Sequence, residues 1–205
     1  ECRGQPQVSS PSYNGPMNRR HFLALMAWVP CAACPAAPGE LAEDAVEVSY
    51  EDGLYSARFA FVVAAPLALV WEVLTDFEHM AAFVPNLEHS EVLVREPGGL
   101  RIRQRGKLDF GPFTMRFESQ RQVELRPREG IIRSRAIGGS TRHMQSEMRL
   151  QALPEGTRLD YSLEMIPERW IPSSLGVNFM RHELAEQFTA IAGEMLRRRQ
   201  SRRNS

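Results

Sequence analysis

Between Phe113 and Leu125 the chain alternates with a period of two, and the parity that carries Phe113, Met115, Phe117, Val123 and Leu125 also carries Ser119 and Arg121. A guanidinium in an otherwise apolar row has strong chemical consequences. Its planar fork donates two hydrogen bonds in fixed geometry, so inside an apolar cavity it would hold a quinone carbonyl or a carboxylate. A single β-bulge would instead turn the parity over and leave Arg121 in water. Gln104, Ser146 between Met144 and Met148, and Tyr161 between Leu159 and Leu163 pose the same choice, each being either a ligand contact or a satisfied core polar group.

Support for covalent chemistry is thinner. There is no His-Glu-x-x-His, no glycine-rich phosphate loop and no Gly-x-Ser-x-Gly, and His79, His89, His143 and His182 are scattered. Cys2, Cys31 and Cys34 all precede the region that folds, which removes thiol catalysis and disulfides from it. The sequence therefore assigns no catalytic residue, no metal ligand and no cofactor.

The elements that must position these residues follow from periodicity. Tyr55, Ala57, Phe59, Phe61 and Val63 alternate as a half-buried strand. Pro66 can open a helix carrying Leu67, Val70, Trp71 and Leu74, and Asp76 restarts the chain into a second short helix ending at Pro85. Six strands follow, at about 88–95, 100–108, 113–125, 131–137, 142–153 and 158–166, separated by turn residues such as Pro97-Gly98-Gly99 and Gly138-Gly139. From Ser173 to about Arg199, Val177, Met180, Leu184, Phe188, Ile191 and Met195 mark one face of a long helix, with Arg181, Glu183, Glu186 and Glu194 off it. The expected fold is α+β: a curved antiparallel seven-stranded sheet gripping a long C-terminal helix, with two short helices after strand one. A bent sheet around one helix leaves a cavity between them.

In the strand at 100–108, Leu100, Ile102, Gln104, Gly106 and Leu108 share one face and Arg101, Arg103, Arg105 and Lys107 the other. Four unpaired buried cations would each cost several kcal/mol, so the basic face is the solvated one, or one that reads anionic lipid headgroups. Residues expected around the ligand are Trp71, Phe77, Met80, Phe83, Gln104, Phe110, Met115, Phe117, Arg121, Met144, Tyr161, Trp170, Phe179 and Phe188. Trp170, between Pro167 and Pro172, could form a membrane-facing edge.

Charge is balanced, with 25 basic and 25 acidic residues, and carries no nucleic-acid signature. Residues 1–16 are polar and read as an extension upstream of a start at Met17. Residues 17–42 have the order of a signal peptide, with Arg19-Arg20 before an apolar run and then small residues, through the twin-arginine or the general export route. Cys34 after Cys31-Ala32-Ala33 is faintly like a lipoprotein box. An exported, periplasmic or membrane-associated domain at 43–199 and a basic tail at 200–205 are the expected products.

The stretch from Ala65 to Met80, with Asp76-Phe77-Glu78, then Phe83-Val84-Pro85-Asn86-Leu87 and the late Met180-x-x-Glu183-Leu184, resembles the START-like superfamily, in particular its polyketide cyclase/dehydrase and coenzyme-Q-binding branch. The resemblance implies a helix-grip domain that binds a hydrophobic small molecule or lipid without catalysis. An alternative is a cyclase or dehydratase in which Arg121 or Tyr161 polarises a carbonyl. A third is a protein- or membrane-interaction module working through the tail Arg197-Arg198-Arg199-Gln200-Ser201-Arg202-Arg203.

Overall fold

Alternating strands separated by glycine and proline turns can pair only with their sequence neighbours, and the chain does so. The computed structural model describes residues 39–110, 113–168 and 173–205, all within the unit Pro35–Ser205. The elements run β1 (Glu47–Glu51), β2 (Leu54–Val63), α1 (Leu67–Thr75), β3 (Leu87–Glu96), β4 (Gly99–Phe110), β5 (Phe113–Arg126), β6 (Ile131–Gly139), β7 (Thr141–Leu153), β8 (Gly156–Pro167) and α2 (Ser173–Arg203). They form one antiparallel sheet in the order β1-β2-β8-β7-β6-β5-β4-β3.

The sheet has eight strands rather than the expected seven. The added strand, β1, pairs Glu51 with Leu54 across Asp52-Gly53, whose φ values of 47° and 90° are those of a two-residue hairpin turn. Val48 and Tyr50 alternate inward in it, but five residues give too short a pattern to stand out.

The second short helix is also smaller than expected, a single 3-10 turn at Met80–Ala82. Pro85 cannot extend it, and Asn86 takes a left-handed φ of 62° that turns the chain into β3. Helix α1 starts after Pro66 and buries Leu69, Val70, Val73 and Leu74.

Helix α2 lies against the inner face of the sheet through Met180, Leu184, Phe188, Ile191 and Met195, all buried. Where it meets the sheet, the Phe188 ring sits 4.7 Å from Phe59 and 4.9 Å from Tyr161. Two residues placed off this face by periodicity, Glu183 and Glu194, are only 8% and 9% exposed. The flanks of α2 are covered as well as its face. Asn86 caps Glu183, and Arg197 and Arg198 pair with Glu194 at 2.6 Å.

The helix continues unbroken through the basic run to Arg203. Arg198 also binds Asp76 at 2.7 Å, Arg202 binds Glu72 at 2.7 Å, and Arg199 donates to the Ala64 carbonyl. Three arginines of the basic run 197–203 therefore dock α2 on and beside α1. Most of the expected leader, all three cysteines and Trp170 lie outside the described residues. Leu41, the penultimate residue of that leader, is buried in the core, and its N–H donates to Thr189 Oγ1 at 3.0 Å.

Candidate functional site

Strand register fixes which side chains face α2. On β8 the inner residues are Leu159, Tyr161, Leu163 and Met165. Opposite them on β7 stand Leu150, Met148, Ser146 and Met144. Ser134 faces Ser146 from β6 and Val123 from β5. Arg121 pairs with Ala136 on one side and Ile102 on the other, while Ser119 pairs with Gln104, which in turn faces Ser90.

The β5–β6 pairing does contain a bulge, but the additional residue is Ile137 on β6. Pairing of β5 with β4 is regular throughout, so Arg121 keeps the parity of Val123 and points inward. A diagonal polar patch, Ser90, Gln104, Ser119, Arg121, Ser134, Ser146 and Tyr161, thus crosses an otherwise apolar inner face.

Part of that face is sealed, with Val63, Ile102, Val123 and Leu159 wholly buried. Met115, Phe117, Ser119, Arg121, Met144, Ser146, Tyr161 and Met165 keep part of their surface although they point the same way. The contrast marks an unsealed stretch of the inner face, a hollow in the packing beside the polar patch.

Within the patch, Gln104 Nε2 donates to Ser90 Oγ at 3.0 Å and approaches Met80 Sδ at 3.5 Å. Arg121 Nη2 donates to Gln104 Oε1. Two buried polar atoms here have no protein partner, Arg121 Nε and Ser134 Oγ. Among the described residues no carboxylate pairs with Arg121.

Burial lowers the Arg121 pKa, opposed by Tyr161. Burial raises that of Tyr161, opposed by Ser146 and by the Arg121 charge. The phenol therefore stays protonated at neutral pH and acts as a hydrogen-bond donor. What the arrangement can do is present donors to oxygen atoms on an apolar molecule. It has no nucleophile activated by a base, and among the described residues no three His, Cys, Asp or Glu converge as for a metal.

The other expected site residues divide by location. Gln104, Arg121, Tyr161, Met80, Met115, Phe117 and Met144 gather on or beside the hollow. Phe77 and Phe188 are packed into the core. Trp71 and Phe83 pack against it, Phe83 under the Arg198 guanidinium at 5.8 Å. Phe179 is half-buried on α2, and the Phe110 side chain and Trp170 lie outside the described residues.

Sequence reasoning missed Ser90 and Ser134. Both lie in inner rows, with Val92 and with Ile132, where parity could have found them. A groove of about 460 Å³ along β5–β8 is lined mainly by outward polar residues, among them Glu124, Arg133, Gln145, Glu147 and Glu164, and also by Ser134, Ser146 and Leu163. Several of its polar groups pair with one another, Arg133 with Glu147 at 2.6 Å and Gln145 with Glu164 at 2.5 Å. On β4, Arg103 pairs with Glu91 at 3.4 Å and Lys107 with Glu88, so the basic outer face is solvated and ion-paired.

Residues 63–191 match the family model "Polyketide cyclase / dehydrase and lipid transport". No curated protein sequence matches the chain. Among solved structures, the Zhui aromatase/cyclase of Streptomyces sp. R1128 is similar at 23% identity and a TM-score of 0.59, covering 71% of this chain and 95% of that one. A START superfamily protein from Mycobacterium smegmatis matches at 18% identity and 0.57, covering 69% and 97%. A STAR-related lipid transfer protein (fragment 25–204) from Xanthomonas axonopodis matches at 15% and 0.57, covering 74% and 99%. At these identities the structures establish the helix-grip fold. Together with the family model, they show that the chain belongs to the polyketide cyclase/dehydrase and lipid transport family of START-like proteins.

Proposed function

We propose that this protein binds and carries an apolar small molecule or lipid, enclosed between the sheet and α2 with its polar end on Arg121, and makes no covalent change to it. The observation that carries this reading is the inward guanidinium, held by Gln104 and left with an unpartnered Nε in an otherwise apolar interior. Buried donors normally find partners, so a bound oxygen function would complete the site. Phospholipid, quinone and fatty acyl chains all combine such an oxygen with an apolar body. The order of the leader at residues 17–42 supports carriage outside the cytoplasm.

The test is to express the chain with its leader in a bacterial host, recover the folded protein, extract it with organic solvent and identify bound molecules by mass spectrometry. One apolar molecule per chain is the expected result. An empty protein that also takes up no added quinone, fatty acid or phospholipid would overturn the reading.

A second reading is supported by the presence of Arg121 and a protonated Tyr161 on the same inner face. Two donors could polarise a carbonyl of a linear poly-β-carbonyl compound and favour its cyclisation. That reading requires formation of a cyclised product that is lost in Arg121→Ala. Unchanged recovery of the bound compound is what carriage predicts.

A further inference from the structure

The polar patch is unbalanced in a way that specifies its ligand further than an apolar body with an oxygen. Arg121 is charged at any physiological pH, because a guanidinium does not give up its proton in proteins. Its hydrogen-bond partner is the neutral Gln104, and among the described residues no acidic side chain forms an ion pair with it. A buried cation without a counter-charge costs several kcal/mol, and cations in protein interiors are ordinarily paired. Arg198, whose side chain is only 19% exposed, shows the usual arrangement for a cation removed from water, paired with both Asp76 and Glu194.

The second orphaned group lies beside it. Ser134 is 9% exposed and its Oγ is sealed without a partner. It sits on β6 opposite Val123, two residues along β5 from Arg121 and on the same inner face. On its other side, paired with it across β6 and β7, stands Ser146. The cluster is rich in donors, carries one positive charge and lacks a negative acceptor. Two donors without partners, on the same face of neighbouring strands, suit the two oxygens of one carboxylate, which a guanidinium recognises better than a single carbonyl.

We propose that the molecule carried is an anionic amphiphile, its carboxylate bound by Arg121 Nε and Ser134 Oγ and its apolar body directed along Met115, Phe117 and Met144. This rests on the carrier reading and narrows it from any apolar ligand to a carboxylate-bearing one.

The test compares acids with their uncharged derivatives. Purified ligand-free protein is titrated calorimetrically with hexadecanoate and with cholate, and in parallel with hexadecanol and the two methyl esters, at a pH where the acids are ionised. Wild type, Arg121→Gln and Ser134→Ala are used. Each acid should bind at least about tenfold more tightly than its ester in the wild type, the strength expected of a charge-assisted pair over a neutral one. Arg121→Gln should abolish that preference by weakening the acids far more than the esters, and Ser134→Ala should weaken the acids by about three- to tenfold.

Esters and alcohol binding as tightly as the acids would overturn the anion inference and leave the carrier reading standing. So would a preference that survives Arg121→Gln. Binding of none of the five compounds would overturn this inference. Together with an empty extract, it would overturn the carrier reading as well. The wild-type comparison of acid with ester keeps the inference falsifiable even if a variant fails to fold.

Discussion

Gly106 and Asn86 show how single residues hold the rim of the hollow. The Asn86 carbonyl accepts the Lys107 N–H at 2.9 Å, which brings the loop so close to β4 that a Cβ on Gly106 would lie 2.0 Å from the Asn86 oxygen and 2.8 Å from the Phe117 ring. Backbone on one side and a packed ring on the other leave little room to relax. Gly106→Ala should therefore destabilise the protein by about 1–3 kcal/mol in urea denaturation. Stability equal to wild type would mean that the loop moves aside freely. Arg121 acts at the same scale through its orientation: one inward-facing strand residue puts a guanidinium with an unpartnered Nε on a largely apolar face.

At the scale of elements, α2 is fastened at two places by carboxylates of opposite behaviour. Glu183 is buried, and that burial raises its pKa, opposed by the bond from Asn86 Nδ2 at 3.2 Å. A carboxyl whose folded-state pKa lies above its unfolded value costs stability once ionised, so this cost appears as pH rises from the ordinary carboxylate range through the raised value. Glu183→Gln should be more stable than wild type at neutral pH and equal to it at acid pH, read from denaturation midpoints at both. A gap that persists in acid would assign the effect to packing.

The other fastening has the reverse sign. Burial works against Asp76, but hydrogen bonds from His79 and Arg198 hold its pKa below the usual range. Glu194 is likewise held down by Arg197 and Arg198. Stability from these pairs is present above the unfolded carboxylate pKa and is lost as pH falls. Arg198→Ala leaves the buried Glu194 with Arg197 alone and breaks the tie to α1, which should cost about 2–4 kcal/mol at neutral pH and less in acid. Hydrogen exchange would place the loosening in α1 and the last turns of α2.

For the whole molecule, a ligand enclosed by the folded state and absent from the unfolded one stabilises by mass action. Saturation at a hundredfold excess over Kd adds about 2.7 kcal/mol, a rise in Tm of about 5–10 °C for a domain of this size. A thermal-shift series over apolar acids, alcohols and esters therefore doubles as a ligand screen. A compound that binds by calorimetry but leaves Tm unmoved would be one that binds the unfolded chain as well.

Strand number, order and parity were largely legible in the sequence, because an antiparallel meander repeats one local rule: alternate residues face one side, and a glycine or proline ends the run. Thus the strands from β2 to β8 and helix α2 were found within a few residues of their ends. The five-residue β1 escaped, although Asp52-Gly53 signalled its turn. Parity alone placed Arg121 between cavity and solvent without choosing, since a bulge on β5 would have reversed it. The bulge falls on β6 instead, and only pairing across three strands decides that. Glu183 and Glu194 read as solvated for the same reason. Helical spacing describes the neighbours of a residue along its own chain, whereas burial depends on the loop and helix that arrive from elsewhere. The orphaned Arg121 Nε and Ser134 Oγ are likewise facts of three dimensions, because a missing partner is defined only by everything that could have reached it.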